Sequence, residues 1–291
     1  MERFIPTNDS LNLSQKLAEE MGLSFDKESV KKLAINLHGA YFGEIISKLD
    51  MASLGLNFKQ GSLRKIAAFA GSNNLKTVDI FFDELFDFWL MNMCFCNSVA
   101  AFKVLNQQEF VELEQIFESS LDLFANTYQH ELIRDRFLPL KFQHLECLRF
   151  GHDLSKAMIT FVLCHEIAHV SAGHLSKKSD VQFELEADLL AIEYYDTILS
   201  HPNKSGYLSF GEDFLGAPII LFNYFSVSEK RLFTKTRVRP TRKSHPNPMD
   251  RVENISPYIE AKGTEKAKYI LNGFLAGLED LVEHLALPKH I

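Results

Sequence analysis

The residues best suited to chemistry lie in the stretch Cys164-His-Glu-Ile-Ala-His169. On a helix, His165 and His169 are one turn apart on the same face, so their imidazoles can bind one zinc ion. Glu166 lies about 100° around the helix from His165, where it can meet a metal-bound water without binding the metal. The pattern therefore predicts a zinc site in which Glu166 is the general base of a hydrolase.

The residues before this motif predict a buried helix. Residues 157–163 are largely apolar and contain no Gly or Pro, and Asp153 and Ser155 are candidate caps at the helix start. Two histidines and a carboxylate buried there without partners would cost several kcal/mol, on the order of ~2 kcal/mol or more each. A metal ion removes much of that cost, which favours a metal site over a polar cluster in the core.

A catalytic zinc site needs a third protein ligand, and His174 is the first candidate downstream. If the helix continued, His174 would point about 180° away from His165. The metzincin spacing also fails, because Ala172 and Leu175 stand where that pattern has Gly and His. His174 is therefore the weaker candidate.

Glu184 is the preferred third ligand. Asp180 can cap a helix on which Glu184 and Asp188 lie on one face. Asp188 can then accept a hydrogen bond from a ligating histidine and set its tautomer. Glu186 falls on a different face and is expected at the solvent or the rim. An acidic residue in the first turn of a helix can also serve only to compensate the helix dipole. The prediction that Glu184 is a ligand therefore depends on its position after the histidine motif.

Together, His165-Glu-Ile-Ala-His169 and Glu184-x-x-Ala-Asp188 resemble the gluzincin metallopeptidases, in the arrangement shared by the CAAX-prenyl endopeptidase group and its soluble relatives. The segment Ser244–Val252 resembles the His-Pro…Arg-Ile/Val segment of those enzymes. Over residues 157–255 the layout is most similar to that of the bacterial Lit-type phage-exclusion peptidases.

This resemblance implies roles for individual residues. It implies zinc (Zn2+) bound by His165, His169 and Glu184, with Glu166 as general base and Asp188 supporting His165. It also implies that His245 approaches the reacting carbonyl, although a histidine before Pro246 in a turn is the equal alternative. Lit-type enzymes cleave elongation factor Tu when triggered by a phage polypeptide. The resemblance therefore implies a protein substrate, a translation factor by analogy, and an activating polypeptide as partners.

Composition limits the other function classes. The 291 residues are 46% hydrophobic, contain no linker rich in Pro, Gly or Ser, and predict one zincin-like domain over residues 1–291. Within it, residues 1–150 form an N-terminal half, 151–255 the zinc-site core and 256–291 the C-terminal helices. The net charge of −7 gives no attraction to nucleic acid or anionic membranes. Without a signal peptide or paired cysteine spacing at Cys94, Cys96, Cys147 and Cys164, the sequence predicts a reduced, cytoplasmic protein.

Hydrophobic patterns predict an α+β fold that is predominantly α-helical with a small sheet. Residues 137–142 are a possible edge strand within an irregular region at 129–152, since Pro139 is excluded from a central strand. Helices are expected at 11–21, 26–49, 83–103, 106–128, 153–170, 180–199 and 246–287, and two or three short strands at 54–82. The apolar part of the third helix, 88–102, is too short for a membrane span and predicts a core helix.

The segment from Lys230 to Lys243 carries seven Lys and Arg residues and no acid. It is expected to be a loop, either a solvated surface or a mobile flap that recruits an acidic protein or nucleic acid. If this segment contacts nucleic acid, the alternative function is that of a metal-stabilised sensor or nucleic-acid-binding protein whose peptidase activity is vestigial.

Overall fold

The structure is a computed structural model that describes residues 8–61, 67–74, 77–125, 138–177, 180–201, 208, 210–238, 245–285 and 287–288. Its helices are α1 (Asn8–Glu20), α2 (Lys27–Lys48), α3 (Glu84–Phe102), α4 (Gln107–Ala125), α5 (Leu138–Gln143), α6 (Leu145–Ser171), α7 (Val181–Leu199), α8 (Ala217–Thr236), α9 (Pro248–Lys262) and α10 (Glu265–Glu283). Its strands are β1 (Leu56–Gly61), β2 (Ala68–Asn74) and β3 (Thr77–Asp83). The predicted α+β, mainly helical fold class is confirmed. The assignment of the chain to one domain stays a prediction.

The sheet has the strand order β1-β3-β2, so that β2 is an edge strand. β1 runs parallel to β3 and β2 antiparallel to it. Ile80 and Phe82 of the central strand are fully buried, as the alternating pattern of this segment indicates. The edge strand packs against α6, the helix that carries the histidine motif.

Helix α3 is the central helix of the core. Asp83 caps it by accepting a hydrogen bond from the amide of Leu85, and the helix packs against α6 and α10. Its length and composition would suit a membrane span, but two-thirds of it, 67%, is buried inside the protein. This burial confirms the predicted core helix. Gly151 brings α6 close to α3, since a Cβ there would lie 3.0 Å from the backbone carbonyl carbon of Cys94.

The region before the histidine motif differs from the prediction. Residues 137–142 were expected as an edge strand, but Leu138–Gln143 is helix α5, with Pro139 in its first turn, where a missing N–H costs nothing. The expected irregular region 129–152 is wrong from Leu145 onward, because α6 is a helix of 27 residues that begins there. Asp153 and Ser155 consequently lie inside α6 and do not cap it. Residues 126–137 are outside the described residues, so the predicted end of α4 near 128 stays a prediction.

Three predicted helix starts are confirmed by side-chain caps. Asp26 accepts from the amide of Glu28, and Asp180 from the amide of Gln182. Asn106 and Glu109 cap reciprocally, each side chain accepting the other's amide. The predicted helical region 246–287 consists of two helices, α9 and α10, which are separated at Gly263 and Thr264.

The basic segment is a helix in its first part, which corrects the prediction of a loop beginning at Lys230. Helix α8 continues to Thr236, and Arg231 and Lys235 on it both bind Asp122 of α4, at 2.7 and 2.5 Å. Burial raises the pKa of Asp122, but these hydrogen bonds outweigh burial and lower it. The predicted flap residues Arg239, Arg242 and Lys243 lie outside the described residues.

Candidate metal centre

Helices α6 and α7 bring three ligand atoms together. The Nε2 atoms of His165 and His169 are 3.1 Å apart. One carboxylate oxygen of Glu184 lies 3.4 Å from His165 Nε2, and the other lies 3.5 Å from His169 Nε2. The three side chains form a group whose ligand atoms all lie within 4.8 Å of one another.

These separations fit a tetrahedral divalent metal site. A tetrahedron with metal–ligand bonds of ~2.0–2.1 Å has edges of about 3.3–3.4 Å. The 3.1 Å between the two imidazole nitrogens is close to that value, and each of the two Glu184 oxygens lies at a similar distance from one of those nitrogens. Two imidazoles and one carboxylate also form the ligand set of catalytic sites that keep a fourth position for water.

A buried ion pair lies behind His165. His165 Nδ1 is 2.9 Å from Asp188 Oδ1, and the side chain of Asp188 is 0% exposed. The guanidinium of Arg251, from α9, binds both oxygens of Asp188 at 2.7 and 2.5 Å. Its cationic carbon also lies 4.4 Å from the ring centre of Phe222. Arg251 therefore neutralises Asp188 and holds its carboxylate in place, and that carboxylate in turn orients the His165 ring.

The same contacts shift the protonation of the centre. Burial lowers the pKa of His165, but hydrogen bonds to Asp188 and Glu184 outweigh burial and raise the pKa to about 9. Burial raises the pKa of Glu184, but hydrogen bonds from His165, His169 and His245 outweigh it and lower the pKa far below its usual range. Since Arg251 compensates Asp188, the ionised carboxylate of Glu184 is the negative charge that faces the point between the two histidines.

Glu166 is directed from α6 toward the sheet. Its Oε2 accepts a hydrogen bond of 2.7 Å from the backbone amide of Ala70 on the edge strand β2. The carboxylate is mostly buried and lines the same cavity as the ligand group. A main-chain donor leaves no signal in sequence, and sequence reasoning missed this contact.

His174 does not follow the path expected from the sequence. Helix α6 ends at Ser171, and Gly173, with φ of 69°, turns the chain so that His174 folds back. His174 Nδ1 lies 3.1 Å from His169 Nδ1, and its Nε2 lies 3.4 Å from Glu186. The direction of about 180° applied only to a helix that continued to His174, and the helix ends at Ser171, close to its predicted end at Val170. Glu186 is half exposed, at 49%, as expected of a residue at the rim, yet it contacts His174.

His245 lies at the open side of the centre. Its Nδ1 is 3.4 Å from a carboxylate oxygen of Glu184, and its side chain is 68% exposed. Asn247, two residues later, caps α9 and holds this segment beside α7. The geometry brings His245 to the centre and leaves its role in catalysis a prediction.

A cavity of about 530 Å3 runs past the centre. Its polar part contains Glu166 and the three candidate ligands, and one rim is the edge strand at residues 67–70. Its other wall is apolar and is formed by Phe86, Phe161, Val162, Leu221, Phe222 and Phe225. An edge strand beside an apolar wall is the surface that an extended peptide can occupy.

The sequence signals for these residues differ in strength. Of the residues proposed from spacing, His165, His169 and Glu184 meet at one point, Asp188 contacts His165 from behind, and Glu166 lines the same cavity. Arg251 lies in the segment Ser244–Val252 that carries the resemblance, but no role was predicted for it. Its place six residues after His245, in the His-Pro…Arg pattern, was the available signal.

Comparison with known proteins identifies one family. The model of the Peptidase U49 family matches residues 85–271, which is more than half of the chain. The match begins in α3, includes the whole of α6 and α7, and ends inside α10. No curated protein and no solved structure matches the chain.

Proposed function

The chain belongs to the Peptidase U49 family, and we propose that it is a zinc-dependent endopeptidase that hydrolyses peptide bonds of a cytoplasmic protein. The convergence of His165, His169 and Glu184, whose ligand atoms all lie within 4.8 Å of one another, is the observation that carries the proposal. A carboxylate that faces the same cavity, Glu166, supplies the base that such a hydrolase requires.

The roles of the residues follow from their positions. His165, His169 and Glu184 would hold the zinc ion, which when bound supplies an acidified water and a polarised substrate carbonyl. Glu166 would take a proton from the attacking water and deliver it to the departing amine nitrogen. The Ala70 amide holds the Glu166 carboxylate toward the cavity.

His245 serves as a hydrogen-bond donor to the oxygen of the attacked carbonyl. Its exposed position, next to Glu184 on the cavity side, supports this role. A donor at such a position stabilises the developing negative charge, commonly by ~3 kcal/mol. The buried Arg251–Asp188 pair keeps His165 oriented while the substrate binds and leaves.

The substrate is an extended segment of a protein. The outer edge of β2 can pair with its backbone through main-chain groups other than the Ala70 amide, and the apolar wall near Val162 can accept a large apolar side chain. The resemblance to Lit-type peptidases supports a role in phage exclusion, with a translation factor as target and a phage polypeptide as trigger.

The test compares the wild type with Glu166→Gln in bacterial cells. We expect protein fragments in cells with the wild type, at least ~100-fold fewer with Glu166→Gln, and equal zinc content in both proteins. Glu193→Gln, an exposed substitution of the same type on α7, is the matched control and should leave the fragments unchanged. Equal fragments from Glu166→Gln, or a wild type that binds no zinc, would contradict the proposal.

The alternative of a vestigial sensor or nucleic-acid-binding protein has less support. Arg231 and Lys235, two of its basic residues, are bound to Asp122 and so offer less positive charge to a phosphate backbone. A salt-sensitive shift of nucleic acid by the purified protein, without fragments in cells, would favour the alternative.

A further inference from the structure

The two candidate histidine ligands are supported in different ways. The distal nitrogen of His165 meets the buried carboxylate of Asp188, whereas the distal nitrogen of His169 meets another histidine. We propose that His174, itself oriented by Glu186, is a positioning residue that holds His169 in the tautomer and orientation needed to bind the metal. The inference rests on the proposed zinc site and adds a residue to its support.

The turn after α6 is built to return His174 to the centre. The helix ends at Ser171, and Gly173 takes a left-handed conformation, with φ of 69°, which non-glycine residues rarely adopt. His174 is then buried and stacks on Phe183 at 4.7 Å between ring centres and 23° between planes. Phe183 belongs to α7, directly before Glu184. The ring plane of His174 is therefore set by the helix that carries the third ligand.

The hydrogen bonds set one chain of tautomers. His169 Nδ1 and His174 Nδ1 are 3.1 Å apart, so one of them must carry the proton and the other must accept it. Glu186 lies 3.4 Å from His174 Nε2 and favours a proton on that nitrogen. His174 Nδ1 is then the acceptor and His169 Nδ1 the donor. The lone pair of His169 Nε2 is left free, and it points toward the ligand group.

The same geometry argues against His174 as a ligand of this ion. The Nδ1 atom of His174 faces the distal nitrogen of His169, opposite the Nε2 atom that belongs to the ligand group. The other nitrogen of His174 faces Glu186. Neither nitrogen of His174 is directed at the point where His165, His169 and Glu184 meet.

The chain of contacts from Glu186 through His174 to His169, here called the relay, predicts a graded loss of zinc affinity. The measurement is a titration of the metal-free protein with zinc in competition with a chelator. His174→Phe keeps the ring on Phe183 but removes the acceptor, and we expect a zinc dissociation constant ~10–100-fold higher. His174→Asn keeps an acceptor near the position of Nδ1 and should stay within about threefold of the wild type. Glu186→Ala removes only the outer, exposed end and should raise the constant by a few-fold, about 3–10.

Two further measurements separate positioning from ligation and from misfolding. The visible spectrum of the cobalt-loaded protein reports the ligand set, and we expect the same bands in wild type and His174→Phe. Thermal unfolding of the metal-free variants checks their fold. If His174→Phe does not fold, the zinc affinity of Glu186→Ala, a substitution at the exposed end of the relay, tests the proposal instead.

The outcomes are distinct. Unchanged zinc affinity in His174→Phe would overturn the relay, as would unchanged affinity in Glu186→Ala where His174→Phe does not fold. Altered cobalt bands in His174→Phe would also overturn it. So would a zinc affinity of His174→Asn as low as that of His174→Phe. Because zinc binding needs no substrate, the relay can hold even if no protein is cleaved. A wild type that binds no zinc would contradict the metal centre, and the relay with it.

Discussion

At the scale of single residues, the centre depends on the buried negative charge of Asp188, which three contacts from neighbouring side chains compensate. Asp188 is enclosed, and it receives two hydrogen bonds from Arg251 and one contact from His165. Burial raises the pKa of Asp188, but Arg251 and His165 outweigh burial and lower it. Asp188 is therefore ionised, and its charge holds the His165 ring in place.

Removing one partner of this pair should be costly. Arg251→Met leaves Asp188 charged and buried, and we expect the free energy of unfolding to fall by about 3–5 kcal/mol. The measurement is urea denaturation of the metal-free protein. Adding Asp188→Asn removes the unpaired charge, so the double variant should lose less than the sum of the two single losses. Additive losses would mean that the two side chains do not interact.

At the scale of elements, the centre depends on how closely α6 approaches α3. Helix α6 carries the histidines, and Gly151 is the residue at which it meets the backbone of Cys94 and Phe95. Both helices are rigid in this contact, because neither side has a flexible side chain that can move. The position of the ligand group relative to the core is thus set by a glycine almost four turns earlier on the same helix.

Gly151→Ala tests this close contact. The added Cβ would lie 3.0 Å from the carbonyl carbon of Cys94 and the amide of Phe95, and we expect a loss of about 1–3 kcal/mol in unfolding free energy. Gly43→Ala on α2 is the matched control, because nothing lies within 4 Å of its added Cβ. That control should be neutral or stabilising by up to ~1 kcal/mol. Equal effects at both glycines would refute the close approach as the cause.

At the scale of the whole molecule, distant segments form one cavity. Residues 67–70 of the edge strand, the core helices α3 and α8, and the segment from His245 to Arg251 all line the space beside α6 and α7. A metal ion that binds here joins α6 to α7 and favours the folded chain, since the unfolded chain does not hold the three ligands together. Metal binding at the proposed centre would therefore raise the global stability.

Removing the metal should lower the melting temperature. With zinc at about 100 times its dissociation constant, we expect a stabilisation of ~2.7 kcal/mol over the chelator-treated protein. Differential scanning calorimetry with and without zinc measures it. Glu166→Gln, which is outside the ligand group, should keep the full shift, and Glu184→Ala should lose most of it. A full shift in Glu184→Ala would exclude that carboxylate as a ligand.

Local sequence determined much of the protein. The helix-spaced His165 and His169, the capped helix that presents Glu184 and Asp188, and the three-stranded sheet follow from patterns a few residues long. Such patterns are readable because helix periodicity and caps depend on neighbours in the chain. The region 137–152 was misread because the segment 137–142 was interpreted as a possible short strand, which Pro139 only restricted to an edge, whereas burial of Leu140 and Cys147 against the core favours two helices.

Only the tertiary structure decided which distant groups meet. The amide of Ala70 reaches Glu166 across 96 residues, and Arg251 reaches Asp188 across 63, and no local pattern encodes either distance. His174 turns back because α6 ends at Ser171, and Arg231 of α8 meets Asp122 on the neighbouring helix α4. The sequence by itself specified the chemical groups and the helix faces that carry them. Packing chose their partners, since a buried charge or donor must be paired by whatever side chain or backbone group the fold brings beside it.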